Sequence, residues 1–275
     1  TIDTSPPTGG VAMDGDIEDL DFTSSTTTIT ASWTGFTDTG SGVGDYRYAI
    51  GTEPGGVQNV YWLSIGTNTA FTRTGLSLVH GVTYYVSVKA FDMLGNEGQF
   101  VATDGITIDT QTPITGIVND GLYEDIDITV STNTLSGNWT GFSDGLSGIA
   151  FYEYALDTVP GGTDMVSWSS TSLDTHFTNS DLGLVNGQTY YISVRATDTA
   201  GNVCESVSSD GIIVDWEFPV VAYLYEGDTG TDADYQNEST SLVLAWGLEN
   251  STTAVLRYEY AVGLSPGESE TVVWT

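Results

Sequence analysis

The chain has 275 residues, and its 5 Lys or Arg stand against 37 Asp or Glu for a formal net charge of −32. So acidic a surface repels nucleic acid and anionic membranes; it attracts divalent cations, suits high salt, or serves solubility alone. With 39% hydrophobic residues the sequence can build packed cores rather than remain disordered, and its single cysteine, Cys204, leaves no intrachain disulfide.

Taken in order, the chain opens on TIDTSPP, which matches TIDTQTP at 107–113, so it is read as starting inside a repeated unit. No stretch of the sequence reads as a signal peptide, and no apolar run approaches the ~20 residues that span a bilayer. Short strands are expected at Gly10–Met13, at Thr27–Phe36 with Ile29, Ala31 and Trp33 inward, and at Tyr46–Gly51 with Tyr46, Tyr48 and Ile50 inward. Between the first two, alternation places Leu20 and Phe22 inward and Asp19 and Asp21 in water. Further strands follow at Asn59–Ile65 and Ala70–Gly75. The clearest strand lies within GVTYYVSVKAFDMLGN at 81–96, where Tyr84, Val86, Val88 and Ala90 share one face. A last strand is expected at Val101–Ile108, and no segment reads as a helix.

The whole pattern then recurs with a period of about 106 residues, as Trp33, Trp139 and Trp246 and the Tyr-x-Tyr-Ala runs at 46, 152 and 258 show. GQTYYISVRATDTAGN at 187–202 is the second copy of the clearest strand. Three units result: 1–109, 110–215, and 216–275, the last lacking any counterpart of that strand. Seven short strands in about 100 residues fit a two-sheet sandwich.

A Trp in the second strand, Tyr-x-Tyr in the third, and Leu76-x-Leu78-x-x-Gly81-x-Thr83-Tyr84-x-Val86-x-Val88-x-Ala90 resemble the fibronectin type III pattern. The resemblance implies an all-β fold of tandem seven-stranded immunoglobulin-like sandwiches, the third incomplete. It also implies that the hydroxyls of Tyr84 and Tyr190 bond back to the loop before their strand. The longer consensus of Asp-x-Asp, Trp-x-Gly-Phe, Tyr-Glu-Tyr-Ala and Pro-Gly-Gly is similar in style to arrays on large secreted surface proteins, bacterial adhesins in particular.

The acidic segments carry the one candidate chemistry. Asp19 and Asp21 recur as Asp125 and Asp127, then as Asp232 and Asp234. Clustered carboxylates supply the oxygens calcium takes, although no helix–loop–helix calcium loop is present. A solvated strand face is the plain alternative. In Asp92-x-x-Gly95-Asn96 and Asp198-x-x-Gly201-Asn202, an Asp that accepts its own turn's N–H groups is the alternative to a ligand. Sandwich topology sends Asp19, Asp21 and Asp109 toward the second copy, and Asp125, Asp127 and Asp215 toward the third. Asp38, Asp92, Asp144 and Asp198 point back at the preceding unit. Calcium at these junctions, with Asn202 contributing its side-chain carbonyl, would clamp neighbours into a rod.

The Trp residues are expected in cores or over sheet faces rather than as a carbohydrate platform, with Trp216 at the second junction. Glu153 and Arg195 are expected to pair across adjacent strands. Catalysis finds no support: His80 and His176 are not equivalent, Cys204 has no partner nearby, and no nucleophile elbow or phosphate loop occurs. The sequence thus predicts a non-catalytic extracellular or cell-surface array: the stalk or body of an adhesin or filament. Its partners would be further repeats, other surface proteins, glycans or its own copies side by side. The alternative is a spacer in a secreted polysaccharide-degrading enzyme.

Overall fold

Period-two alternation with β-branched and aromatic residues on one face makes strands, and Gly-rich turns at short intervals keep them antiparallel. The computed structural model of the chain describes residues 2–227, 232, 235, 241–249, 255–266 and 272. In the first unit the strands are β1 (Thr8–Asp14), β2 (Phe22–Thr23), β3 (Ile29–Thr37), β4 (Val43–Gly51), β5 (Val60–Gly66), β6 (Ala70–Arg73), β7 (Thr83–Asp92), β8 (Val101–Ala102) and β9 (Ile106–Ile108). They form a sheet β1-β3-β6 and a facing sheet β2-β9-β7-β4-β5, with β8 also paired to β7.

The second unit repeats this with β10 (Ile117–Asp120), β11 (Ile128–Thr129), β12 (Leu135–Thr140), β13 (Ile149–Asp157), β14 (Val166–Ser172), β15 (His176–Asn179), β16 (Thr189–Asp198), β17 (Val207–Ser208) and β18 (Ile212–Val214). Its sheets are β10-β12-β15 and β11-β18-β16-β13-β14, with β17 on β16. The third contributes β19 (Val221–Glu226) and β20 (Leu244–Leu248), one antiparallel pair.

The inward face of each sheet fills one core. Ile29, Ala31 and Trp33 meet Tyr48, Ile50, Tyr84, Val86, Val88 and Ala90 in the first unit. Leu135, Trp139, Leu156, Tyr190, Ile192 and Val194 do the same in the second. Tyr84 accepts a hydrogen bond from Val79 N (3.1 Å) and Tyr190 from Val185 N (2.8 Å), the tie implied by the family resemblance. The rings packed on the Trp residues are others: Tyr46 and Phe71 on Trp33, Tyr152 and Phe177 on Trp139. Trp246, expected in a core, is 37% exposed, because no second sheet covers β20 among the described residues. Trp216 packs on the core of the second unit.

The two cores differ by an exchange of volume. Ala31 and Val86 belong to one core in the first unit; the second has Gly137 and Ile192 at the same phase. A Cβ on Gly137 would come within 2.6 Å of Ile192 Cδ1 and 2.8 Å of Phe177 Cε1. The smaller residue on β12 is matched by the larger one on β16.

The strand missed in sequence is the one between β1 and β3. The chain leaves the first sheet after Asp14, crosses over, and pairs β2 parallel with β9. The crossover turns Leu20 outward, 44% exposed, against the alternation expected of it. Register on the larger sheet follows expectation: Glu153 lies opposite Arg195, whose Nε donates to its carboxylate at 2.8 Å, and the guanidinium covers Trp168. In the first unit Arg47 and Lys89 lie opposite each other. Their repulsion is relieved by Asp45 and Glu97, and both stack on Phe91.

One loop is held differently in the two units. Asp157, nearly buried, accepts from Thr158 N at 2.6 Å and Asp164 N at 2.7 Å. The first unit has Gly51 there, with the Gln58 side chain in the space a carboxylate would take. The Asp164 N–H above all, with the N–H and hydroxyl of Thr158 and against partial burial, holds the Asp157 carboxyl below its usual range. A depressed carboxyl adds stability above its unfolded pKa and loses it as pH falls through the folded value. Asp157→Asn is therefore expected to unfold at lower urea than the parent at about pH 7, the gap closing in strong acid. Urea titrations of both proteins from about pH 7 to about pH 2 check this; a constant gap would count against it.

Candidate functional site

The joint between the first two units is built from Asp109, which follows β9, and two loops of the second unit. Asp109 Oδ1 accepts from Gln111 N (3.0 Å), turning the linker, and Oδ2 accepts from Ser147 N (3.2 Å). Its carbonyl accepts from Asn202 Nδ2 (2.9 Å), and Ala200 O accepts from Ser24 N (3.2 Å). Asn202 Nδ2 also donates to Asp198 Oδ2 (2.8 Å). With acceptors on both contacts, the amide nitrogen rather than the carbonyl faces the joint, contrary to the expected carbonyl ligand.

The same contacts recur at the start of the chain. Asp3 Oδ1 accepts from Ser5 N (3.0 Å), its Oδ2 from Ser41 N (2.7 Å), and its carbonyl from Asn96 Nδ2 (3.3 Å). Asp215 Oδ1 likewise accepts from Glu217 N (3.1 Å). His80 Nδ1 accepts from Thr110 N, and Asn186 Oδ1 from Trp216 N, so the two do one job at one phase. The same Nδ1 lies 3.5 Å from Asp109 Oδ1.

Carboxylates meet at this joint. Asp109, Asp144 and Asp198 each bring an oxygen within 4.8 Å of the others, as do Asp3, Asp38 and Asp92 at the equivalent place. Asp144 accepts from the N–H groups of Leu146, Ser147 and Gly148. Burial works against its charge, but these N–H groups outweigh it and keep its carboxyl below the usual range. Asp92 and Asp198 also cap their own hairpins, the turn role weighed in the sequence. The side-chain and backbone N–H of Asn96 overcome burial to depress Asp92.

The remaining expected ligands lie elsewhere. Asp19 and Asp125 fold back within their own units, accepting from Asp14 N (2.8 Å) and Asp120 N (2.9 Å). Asp19 clusters with Asp14 and Asp104, and Asp125 with Asp120 and Asp210. The crossover from β1 to β2 brings Asp19 back to Asp14 and Asp104, and its copy brings Asp125 back to Asp120 and Asp210, rather than into the carboxylate cluster of the joint. Asp21 and Asp127 are exposed and join no carboxylate cluster among the described residues; their carbonyls accept from Thr107 N and Ile213 N. Asp215 is nearly buried at the end of β18. Asp234, weighed as a third-unit counterpart, lies outside the described residues.

Asp14 and Asp120 were not singled out in the sequence. Asp14 is fully buried, its Oδ2 accepts from Gly105 N (3.1 Å), and its Oδ1 has no hydrogen-bond partner. Burial above all pushes its carboxyl up to about 7. The Thr103 hydroxyl and Gly105 N–H pull it down, and the Asp19 and Asp104 charges add to the rise. The Thr103 hydroxyl is close enough to favour the charge but does not bond to Oδ1. In the second unit Ser209 Oγ donates to Asp120 Oδ1 (2.9 Å), and burial lifts that carboxyl to about 6. The signal for both was Asp before Gly, at 14–15, 104–105, 120–121 and 210–211, every one of these glycines at positive φ.

A three-stranded sheet facing a larger one, a first strand shared between them, and a tyrosine tied to the loop before its strand define the class. These are tandem fibronectin type III-like, immunoglobulin-like sandwiches. No protein-family model matches the chain. It is similar to exoglucanase B of Cellulomonas fimi, 29% identical over 210 residues, which is 74% of this chain but 16% of that enzyme. Among solved structures, the FN1–FN3 domains of chicken CNTN1 match at 19% identity and a TM-score of 0.40, covering 77% of this chain and 69% of theirs. A run of titin domains matches at 15% identity and 0.45, covering 77% and 67%. The strand order carries the fold assignment, not these scores.

Proposed function

We propose that the chain is a non-catalytic length of an extracellular structural array, which holds other parts of its protein at a distance from a surface. The observation that carries this reading is the joint, where Asp109 binds loops of the next unit through both its side chain and its carbonyl. The same contacts made by Asp3 make the joint a property of the repeat rather than of one boundary. An adhesin stalk or filament body is one setting. Spacer modules of a secreted polysaccharide-degrading enzyme are the other, favoured by the similarity to part of an exoglucanase. In either setting, calcium at Asp109, Asp144 and Asp198 would neutralise carboxylates that otherwise repel, and so stiffen the joint.

The test is the distance distribution between spin labels at Thr52 and Thr158, exposed positions on the two units, the native Cys204 being buried. A rigid joint gives one narrow distance, broadened by Asn202→Ala. Junction calcium narrows it further over a chelator, an effect lost in Asp144→Asn. A broad distribution in the parent under both conditions would refute the rigid array. Equal widths with calcium and chelator would refute the junction ion alone.

A further inference from the structure

We propose that Asp14, Asp19 and Asp104 form a second kind of cation site, inside the first sandwich rather than at its joint, which takes a hard divalent ion of the calcium class. Each residue brings a carboxylate oxygen within 4.8 Å of the other two. Oxygens bound to one calcium at about 2.4 Å lie no more than about 4.8 Å apart, so the three are close enough to share a single ion. Acidic side chains alone would not make a site. The independent observation is the fully buried Asp14, whose Oδ1 has no hydrogen-bond partner. A buried carboxylate oxygen with nothing bound to it is costly, and a cation is the partner its charge lacks. None of the ion pairs among the described residues reaches this carboxylate or its two neighbours.

The backbone prepares the place. Asp14 N donates to Asp19 and Leu20 N to Asp14 O (2.7 Å), which closes the crossover into a loop. Gly15 and Gly105 stand at φ 105 and 106, conformations that bring the two Asp-Gly steps together with Gly105 N on Asp14. An ion there would tie the end of β1 to the step between β8 and β9, joining the first and last strands where the chain changes sheets. The second unit has the same three positions in Asp120, Asp125 and Asp210, but Ser209 already satisfies Asp120 Oδ1, so its site is the weaker. This site is independent of the joint and of the setting in which the array works.

Hydrogen exchange of the full chain, with 10 mM calcium or a chelator at matched ionic strength, tests it. Extracellular modules bind calcium at ~10⁻⁴–10⁻³ M, so ~10 mM should slow exchange at 14–21 and 103–108 by about 10- to 100-fold. Asp104→Asn, changed at an exposed side chain, should abolish that protection while exchanging in chelator no faster than the parent, because a charge that repels Asp14 is gone. Asp14→Asn should lose it too, while melting in chelator no lower than the parent, because the buried charge is gone. Asp144→Asn should keep it. No calcium protection in the parent at these segments would overturn the site. Protection that survives Asp104→Asn, or that vanishes only in Asp144→Asn, would overturn it equally.

Discussion

Replacing Trp139 by alanine is expected to unfold the second sandwich and leave the first folded. The indole is buried against Tyr152 and Phe177, between sheets whose other core members are already close-packed. Truncating such a ring removes its transfer energy and leaves a cavity, for a cost of about 3–5 kcal/mol. Single domains hold only about 5–15 kcal/mol in all, so most of the margin goes. The indole N–H has no acceptor, so the loss is packing rather than a hydrogen bond. Trp139→Phe should therefore recover much of it. Calorimetry should show the transition of the second unit moved far down or lost, with that of the first in place. A second-unit transition at the parent temperature would contradict the core described here.

The next largest effect tests the exchange of volume between the two cores. Gly137→Ala drives a methyl group into Ile192 and Phe177, an overpacking that costs about 1–3 kcal/mol. Ile192→Val alone leaves a small void, for about 0.5–1.5 kcal/mol. Together they recreate the Ala31 and Val86 pair of the first unit, where that combination is already packed. The double variant should be more stable than Gly137→Ala alone, with a coupling energy of about 0.5–3 kcal/mol by denaturant unfolding. Strict additivity would mean that the two side chains do not share the space.

The fold was legible because two periods coincide in the sequence. Alternation at two residues marks β3, β4 and β7, and their copies arrive at the same phase in the second unit, so each strand was read twice. What escaped was β2, two residues paired parallel to β9, too short for any alternation to register. That omission had a consequence for the acidic residues. With the crossover unseen, Asp19 and Asp125 were sent to the pole, where the structure instead folds them back on Asp14 and Asp120. Asp109, Asp144 and Asp198 could be brought together from sequence because their places depend only on strand ends and hairpins. The burial of Asp14 could not, since it depends on how β1 leaves its sheet.

The joint also bears on how such a chain changes over time. Each of the first two copies carries the acceptor at its trailing end and the donors at its leading end, so the interface is complete where the second follows the first. Contacts of this head-to-tail kind do not close on themselves. Unequal recombination between the gene segments would thus insert or delete whole copies with every boundary intact. Copy number becomes a quantity that selection can tune for reach without remaking a single contact.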